Sequence, residues 1–340
     1  MPPSGQPVLN AAIVGLGNWG QHLVSSVQGI SEGIRFVCAV TPGDSQSAVF
    51  ARQHGLQLYS EYASALADPT VHAIVIATTN SLHVEQAIAA VGAGKHVFVE
   101  KPVALTEDSA QLLFDVCDKH EVTMAAGFNW RFHPALFDLR RMLTLETLGI
   151  LLHIEGNYSG PSGYRRAASH WRSSAAENPG GGMASRGIHV LDLMISMFGE
   201  IESLTARSMR RALHVGIDDT TSVLMNFRCG ITGYLATMMA TAELWRLQVF
   251  GSKGWAELRF VEPLQRFEFS SCLIDEELLT KTYAPAAIER AELEAFAKAI
   301  ASNVRYPVPR NEILHGVSAF SAIARSAANA GRQESISKSG

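Results

Sequence analysis

The residues best suited to chemistry lie in six places along the 340-residue chain. Gly15-Leu16-Gly17-Asn18-Trp19-Gly20 has G-x-G-x-x-G spacing and follows the apolar run Val8 to Val14. Gly15 permits a tight turn, Gly17 lets a pyrophosphate approach the backbone, and Gly20 lets helix and strand pack closely. The first amides of the helix then supply donors to the anion. An ordinary glycine-rich turn shows the same letters; the place between a first strand and a first helix favours a dinucleotide site. Glu100-Lys101-Pro102 closes another apolar run, His96 to Val99. A lysine at the carboxyl end of a parallel strand points into a ligand crevice, while a solvated lysine after a strand is the plainer reading. Pro102 fixes the backbone there and allows a cis bond. Gly180-Gly181-Gly182 precedes Ser185, Arg186 and His189, and an apolar helix follows. Ser185 and His189 share one face if that helix begins early enough. A histidine can take an alcohol proton near neutral pH; a satisfied, half-buried histidine explains the residue equally well. Arg131 sits among aromatics in Asn129-Trp130-Arg131-Phe132-His133-Pro134, suited either to line a cleft or to pack as a hinge. Tyr164-Arg165-Arg166 and His170-Trp171-Arg172 add cations able to bind a carboxylate or hydroxyls, or simply to be solvated.

The elements around these residues fall into two patterns. Through the first third, apolar strands (Val8 to Val14, Phe36 to Val40, Ala73 to Ala77, His96 to Val99, Val122 to Ala125) alternate with helical segments. Those helices read as Trp19 to Val27, Asp44 to His54, Leu82 to Ala93, and Thr106 to Lys119 with Thr106 as N-cap. Continuous apolar strands separated by amphipathic helices imply a parallel sheet covered on both faces. The second strand ends Val40-Thr41-Pro42-Gly43-Asp44, without the acid that NAD enzymes usually place there. Asp44 comes late and can instead cap the next helix. After residue 126 the strands lengthen and alternate: Ile231 to Met238, Leu247 to Phe250, Trp255 to Phe260, Leu264 to Phe269, with Gly251-Ser252-Lys253-Gly254 as a tight turn. That predicts an antiparallel or mixed sheet, preceded by a helix over Val190 to Phe198. Helices return at Ile288 to Ala301 and Asn311 to Ala328, and the polar tail from Ser335 reads as loose.

Composition narrows the class. Hydrophobic residues make up 47%, charged residues 18%, and the net charge is −4; soluble domains average about 25% charged. The length suggests about two domains. No basic excess exists to bind nucleic acid, no apolar run approaches the ~18 residues of a membrane span, and Met1 to Gln6 is no secretion signal. Cys38, Cys117, Cys229 and Cys272 are far apart, so neither a metal site nor a disulfide framework is expected, and a reducing cytoplasm fits best.

Taken together, the motifs resemble the glucose–fructose oxidoreductase / inositol dehydrogenase / rhizopine-catabolism (Gfo/Idh/MocA) family. The resemblance rests on Gly15–Gly20, Thr78-Thr79-Asn80-Ser81-Leu82-His83, Gly94 to Pro102, Phe128 to Pro134, Trp171-Arg172, Gly180 to Gly182, Gly187-Ile188-His189 with Asp192, and Gly251 to Gly254. It implies an α/β Rossmann domain with a doubly wound parallel sheet over 1–126. A substrate-binding and oligomerisation α+β domain with a large, mostly antiparallel open sheet would follow over 127–340. It implies NAD or NADP, the choice undecided, exchanging hydride with a carbon bearing a hydroxyl. The substrate would be a small sugar-like, cyclitol or dihydrodiol molecule. Carried over by position, Lys101 and His189 are the family's lysine and proton-accepting histidine. Gly15, Gly17, Asn18, Trp19, Gly20, Thr41, Thr78, Asn80, His83, Glu100 and Lys101 are then expected around the cofactor. Arg131, Tyr164, Trp171, Arg172 and Arg186 are expected around the substrate. The family's third catalytic member is an aspartate four residues before the histidine, and here it is Ser185. Serine lacks the charge that would raise the basicity of His189, and Arg186 beside it pushes the same way. A non-catalytic, nucleotide-sensing protein of the same fold is therefore the alternative. An open sheet face needs covering, so a homodimer or homotetramer through the second-domain sheet is expected.

Overall fold

The computed structural model describes residues 8–43, 45–262 and 266–338, with the side chain at 262 also left out. Asp44 and Leu264 thus lie outside the described residues. The chain divides into two units. The first is built by β1 (Leu9–Val14), α1 (Asn18–Val27), β2 (Ile34–Val40), α2 (Ser45–Gln53), β3 (Gln57–Tyr59), α3 (Tyr62–Ala67), β4 (Ala73–Ile76), α4 (His83–Gly92), β5 (His96–Glu100), α5 (Glu107–Lys119) and β6 (Met124–Gly127). Its strands are apolar almost throughout, because helices cover both faces of a parallel sheet and leave no side that could be polar. The six strands run in the order β3-β2-β1-β4-β5-β6, all parallel. The order reverses between β1 and β4, and ligands of such sheets bind beyond the carboxyl ends at that switch point. Thr106 caps α5 as predicted, its side chain accepting from the Ser109 amide. The short β3 and α3 carry too few residues for a periodic signal and were not foreseen. The helix expected from Leu82 begins instead as a 3-10 turn, Asn80–Leu82, that passes into α4.

The second unit is built by α6 (Pro134–Thr144), β7 (Leu151–Ser159), α7 (Gly187–Phe198), β8 (Ile201–Met209), β9 (Thr220–Phe227), β10 (Thr232–Met238), β11 (Leu244–Gly251), β12 (Gly254–Glu262), β13 (Arg266–Leu273) and β14 (Leu279–Tyr283). Next in the chain come α8 (Ile288–Ser302), α9 (Arg310–Ala328) and β15 (Glu334–Ser335). Nine strands form one sheet in the order β14-β13-β12-β11-β7-β10-β9-β8-β15. All neighbours are antiparallel except β7 and β10. The turn Gly251 to Gly254 closes the β11–β12 hairpin. Helix α7 lies on β7 and β10, and Gly156 makes that approach possible: a Cβ there would stand 2.3 Å from a Val190 methyl. Trp130 and Trp245 stack at 5.3 Å over the same face, flanked by Phe260 and Phe267, so the aromatic segment after Asn129 is core packing.

Two expectations are corrected. The division at 126/127 gave everything beyond it to the second domain, but Ala287–Arg310 belongs with the first unit, which otherwise runs through Asn129. The reason is α8, whose apolar stripe packs on α1 and β2. The tail is not loose through Ile336: β15 pairs with β8, Ile336 is buried, and its carbonyl accepts from Arg228. Cys38 is buried in β2 as a small hydrophobe, and burial pushes its thiol up to about 12. No described helix is long and apolar enough to cross a membrane.

Candidate active site

In the first unit the glycine loop follows β1 as its spacing predicts. Gly15 has φ +94°, and a Cβ there would stand 2.6 Å from the Ala77 carbonyl oxygen, so only glycine fits. A Cβ on Gly20 would come within 2.0 Å of the Gly15 carbonyl oxygen, whereas one on Gly17 would meet nothing within 4 Å. Helix α1 begins at Asn18 with no side-chain cap on its first amides and no acid in its first turn. Those bare donors, an open approach at Gly17 and the positive end of the helix dipole are what a pyrophosphate requires. Gly20→Ala should therefore cost about 1–3 kcal/mol through overpacking against backbone. A lower melting temperature and weaker NADH and NADPH binding in fluorescence titrations would show it.

At the adjoining end of β2, Thr41 is buried and its amide donates to the Tyr59 carbonyl. Pro42 and Gly43 are exposed, and no acid stands between Val40 and Gly43. Thr78 donates to Gln86 at 2.7 Å, and Asn80 is buried in the turn that opens α4.

Lys101 follows the last residue of β5, and its bond to Pro102 is cis, as the sequence allowed. His83 and Glu100, both expected around the cofactor, support the turn that carries Lys101. His83 is 1% exposed, with Nδ1 2.8 Å from the Pro102 carbonyl and Nε2 3.4 Å from that of Thr78. It braces the turn that carries Lys101. Glu100 is buried and accepts from the Lys101 amide at 3.3 Å. Its carboxylate fits because residue 127 is glycine, where a Cβ would lie 2.9 Å away. Burial pushes its carboxyl up to about 7, with the charge of Lys101 working against the rise. Helix α8 adds two acids that the sequence reading missed. Glu289 accepts from Asn129 at 2.9 Å and lies 3.6 Å from His22, whose pKa is raised chiefly by that contact. Glu292 is wholly buried. A signal was available for it: Ile288, Glu292 and Phe296 recur at four-residue spacing, so an acid stands on the apolar stripe of a helix.

In the second unit, α7 begins at Gly187 and carries His189 in its first turn. The imidazole is 7% exposed, between the rings of Tyr158 at 6.1 Å and Trp130 at 6.4 Å. Ser185 precedes the helix, so the shared helical face does not form; its hydroxyl donates to the Gly182 carbonyl at 3.4 Å. Arg186 is paired with Glu243 at 2.6 Å and lies over the Tyr158 ring. Its charge is thus compensated by a carboxylate.

Arg131 is corrected from substrate ligand to internal strut. It donates to both carboxylate oxygens of Asp192, at 2.7 and 2.6 Å, and to Glu312. Arg172 lies over Trp171 at 4.2 Å, and Tyr164 is exposed, reaching the Ala240 carbonyl at 3.4 Å. Among the described residues, no group of three or more His, Cys, Asp or Glu could hold a metal ion.

Two family models match this chain: an oxidoreductase family with an NAD-binding Rossmann fold over residues 9–128, and the GFO/IDH/MocA C-terminal domain over 137–257. The chain belongs to the Gfo/Idh/MocA family. Its cofactor is NAD or NADP, as expected of that family's oxidoreductases. D-xylose 1-dehydrogenase (NADP(+)) 2 of Haloferax volcanii is 26% identical over 319 residues, 92% of this chain and 96% of that one. Trans-1,2-dihydrobenzene-1,2-diol dehydrogenase of Sus scrofa is 27% identical over 224 residues, 65% of each chain. The crystal structure of aldose-aldose oxidoreductase from Caulobacter crescentus, complexed with glycerol, superposes with a TM-score of 0.87. At 21% identity, covering 97% of this chain and 100% of that one, it attests the fold.

Proposed function

We propose that this Gfo/Idh/MocA member transfers hydride between NAD(P) and a secondary alcohol, or its ketone, on a sugar-like, cyclitol or dihydrodiol substrate. The observation that carries this reading is the placement of Lys101. It stands at the carboxyl end of β5, in the sheet whose switch point bears the glycine loop, on a turn braced by His83 and Glu100. When bound, the nicotinamide ring supplies the hydride donor or acceptor. Lys101 hydrogen-bonds the reacting oxygen and offsets the charge that grows on it. His189 takes the hydroxyl proton in oxidation and returns it in reduction. Ser185 holds no charge for that step, so the base works without the family's carboxylate. The non-catalytic alternative finds no support, since the relatives compared are dehydrogenases.

The test is turnover of D-xylose, inositols and a dihydrobenzenediol with NAD+ and with NADP+, read as reduced nicotinamide. At least one pair should react. Tight nucleotide binding with no hydride transfer to any alcohol or ketone would restore the sensing role.

A homodimer or homotetramer through the nine-stranded sheet belongs to the same reading. The face opposite α7 carries Leu224, Tyr234, Phe250 and Trp255. Ion pairs of Arg246 with Glu155 and of Arg259 with Glu268, each at 2.5 Å, lie among them. The face is thus a mixture of rings and paired charges instead of the plain apolar patch expected, a composition suited to a specific contact. A monomer by light scattering at micromolar concentration would refute it.

A further inference from the structure

Two carboxyl groups, Glu100 and Glu292, are buried in the first unit, and the cofactor and substrate roles above use neither. Phe98 of β5 and Phe296 of α8 touch edge to face at 5.8 Å. Glu100 lies two residues beyond Phe98, on the same side of the strand, and Glu292 lies one helical turn before Phe296. Strand and helix therefore bring the two carboxyl groups toward each other in the interior of the first unit. Glu100 accepts from the Lys101 amide and from the Trp19 indole, while neither oxygen of Glu292 has a hydrogen-bond partner among the described residues. Two ionised carboxylates facing one lysine out of water would be strongly unfavourable.

We propose that Glu292 is a positioning residue that keeps its proton and donates it as a hydrogen bond to Glu100, so that the pair carries one negative charge beside Lys101. The Glu292 hydroxyl is then a further donor to Glu100, beside the Trp19 indole and the Lys101 amide. The other groups facing the pair agree with this assignment. Glu289, on α8 itself, is occupied by Asn129 and His22. From α1 come His22, which feels the charge of Glu100, and Trp19, whose indole donates to Glu100; Lys101 follows β5, and the charges acting on Glu292 are those of Glu100, Glu289 and Lys101. Burial first, then the charges of Glu100 and Glu289, hold the Glu292 carboxyl well above the carboxylate range, with Lys101 opposing. A singly charged pair fixes the Lys101 backbone and matches its ammonium one to one, which keeps the lysine protonated and aimed during turnover.

This inference rests on the catalytic reading of Lys101, but its first test does not. Infrared spectra of the cofactor-free protein at about pH 9, where Glu100 is ionised, should show a protonated carboxyl C=O band that disappears in both Glu292→Gln and Glu292→Leu. The second test is the pH profile of kcat/KM. Loss of a donor raises the pKa of the carboxylate that accepted it, so the acid limb of Glu292→Leu should move to higher pH by about one unit, the scale of coupling in carboxyl pairs. Glu292→Gln keeps a donor and should lie between Leu and wild type. A merely structural role would lower kcat at every pH without moving the limb. A protein with no protonated carboxyl band, or a Leu variant whose limb coincides with wild type, overturns the proposal. A protein that shows the band yet oxidises no alcohol leaves the shared proton standing and removes the catalytic reading.

Discussion

Lys101→Ala is expected to lower kcat for the oxidised alcohol by about 10²- to 10³-fold, the usual loss on removing one donor aimed at a developing oxyanion. The loss should fall on kcat more than on KM. An ammonium meets a neutral hydroxyl in the ground state and a partly charged oxygen in the transition state, and only the difference accelerates the reaction. Lys101→Arg should recover little. A planar guanidinium distributes its charge over a wider fork, and the turn that carries residue 101 is fixed by the His83 contact to Pro102 and by the Glu100 contact to the 101 amide. Steady-state rates, with melting temperatures to confirm folding, decide it. Equal kcat in wild type and Lys101→Ala would remove Lys101 from the chemistry.

What could be read in the letters differs between the two units for a physical reason. In the first, every strand but β3 is a short apolar block closed by a turn signal, and the helices other than α3 are marked by a cap or a stop. Local patterning and global position agree there, and the loop, the lysine and the N-cap at Thr106 were all legible. In the second, β7, β8 and β9 went unseen because one of their faces carries charges, hydroxyls and rings instead of a uniform polarity. Glu155 of β7 finds its partner in Arg246, 91 positions away. No window along the chain contains that relation. The return of α8 to the first unit was hidden for the same reason: an amphipathic helix shows that it has a buried face, and nothing in its own residues names what covers it.

The functional residues divide along a similar line. Motif residues held by glycine geometry, such as Gly15 and Gly20, stand where spacing placed them. Polar residues inferred from composition fared differently, because a charged side chain in a cleft-like segment can serve ligand or core, and only its partners tell. Glu100 and His83 turned inward to support Lys101, and Glu292 entered from 191 positions beyond Lys101 in the chain.

Arg131 makes the point measurable. Its guanidinium, 5% exposed, is held by Asp192, also 5% exposed, and by Glu312. Burial works against the cation, yet the two carboxylates more than offset it and hold the arginine more firmly protonated than usual. Arg131→Met should destabilise the protein by about 3–5 kcal/mol, because it leaves the Asp192 carboxylate buried without its charge partner. The sign of the pH dependence follows. In the variant, the folded-state pKa of Asp192 lies above its unfolded value. Folding then takes up a proton, and stability falls as pH rises through that interval. The gap between wild type and variant in denaturant midpoint should accordingly be wide at neutral pH and narrow toward pH ~4, near the ordinary aspartate value. The double variant Arg131→Met with Asp192→Leu removes both charges and should regain most of the loss, since a buried pair exchanged for packed apolar residues is often neutral or stabilising. A ligand role predicts the opposite pattern: a higher KM for the alcohol, little change in midpoint and no recovery in the double variant. Three denaturation curves at two pH values separate the strut from the ligand.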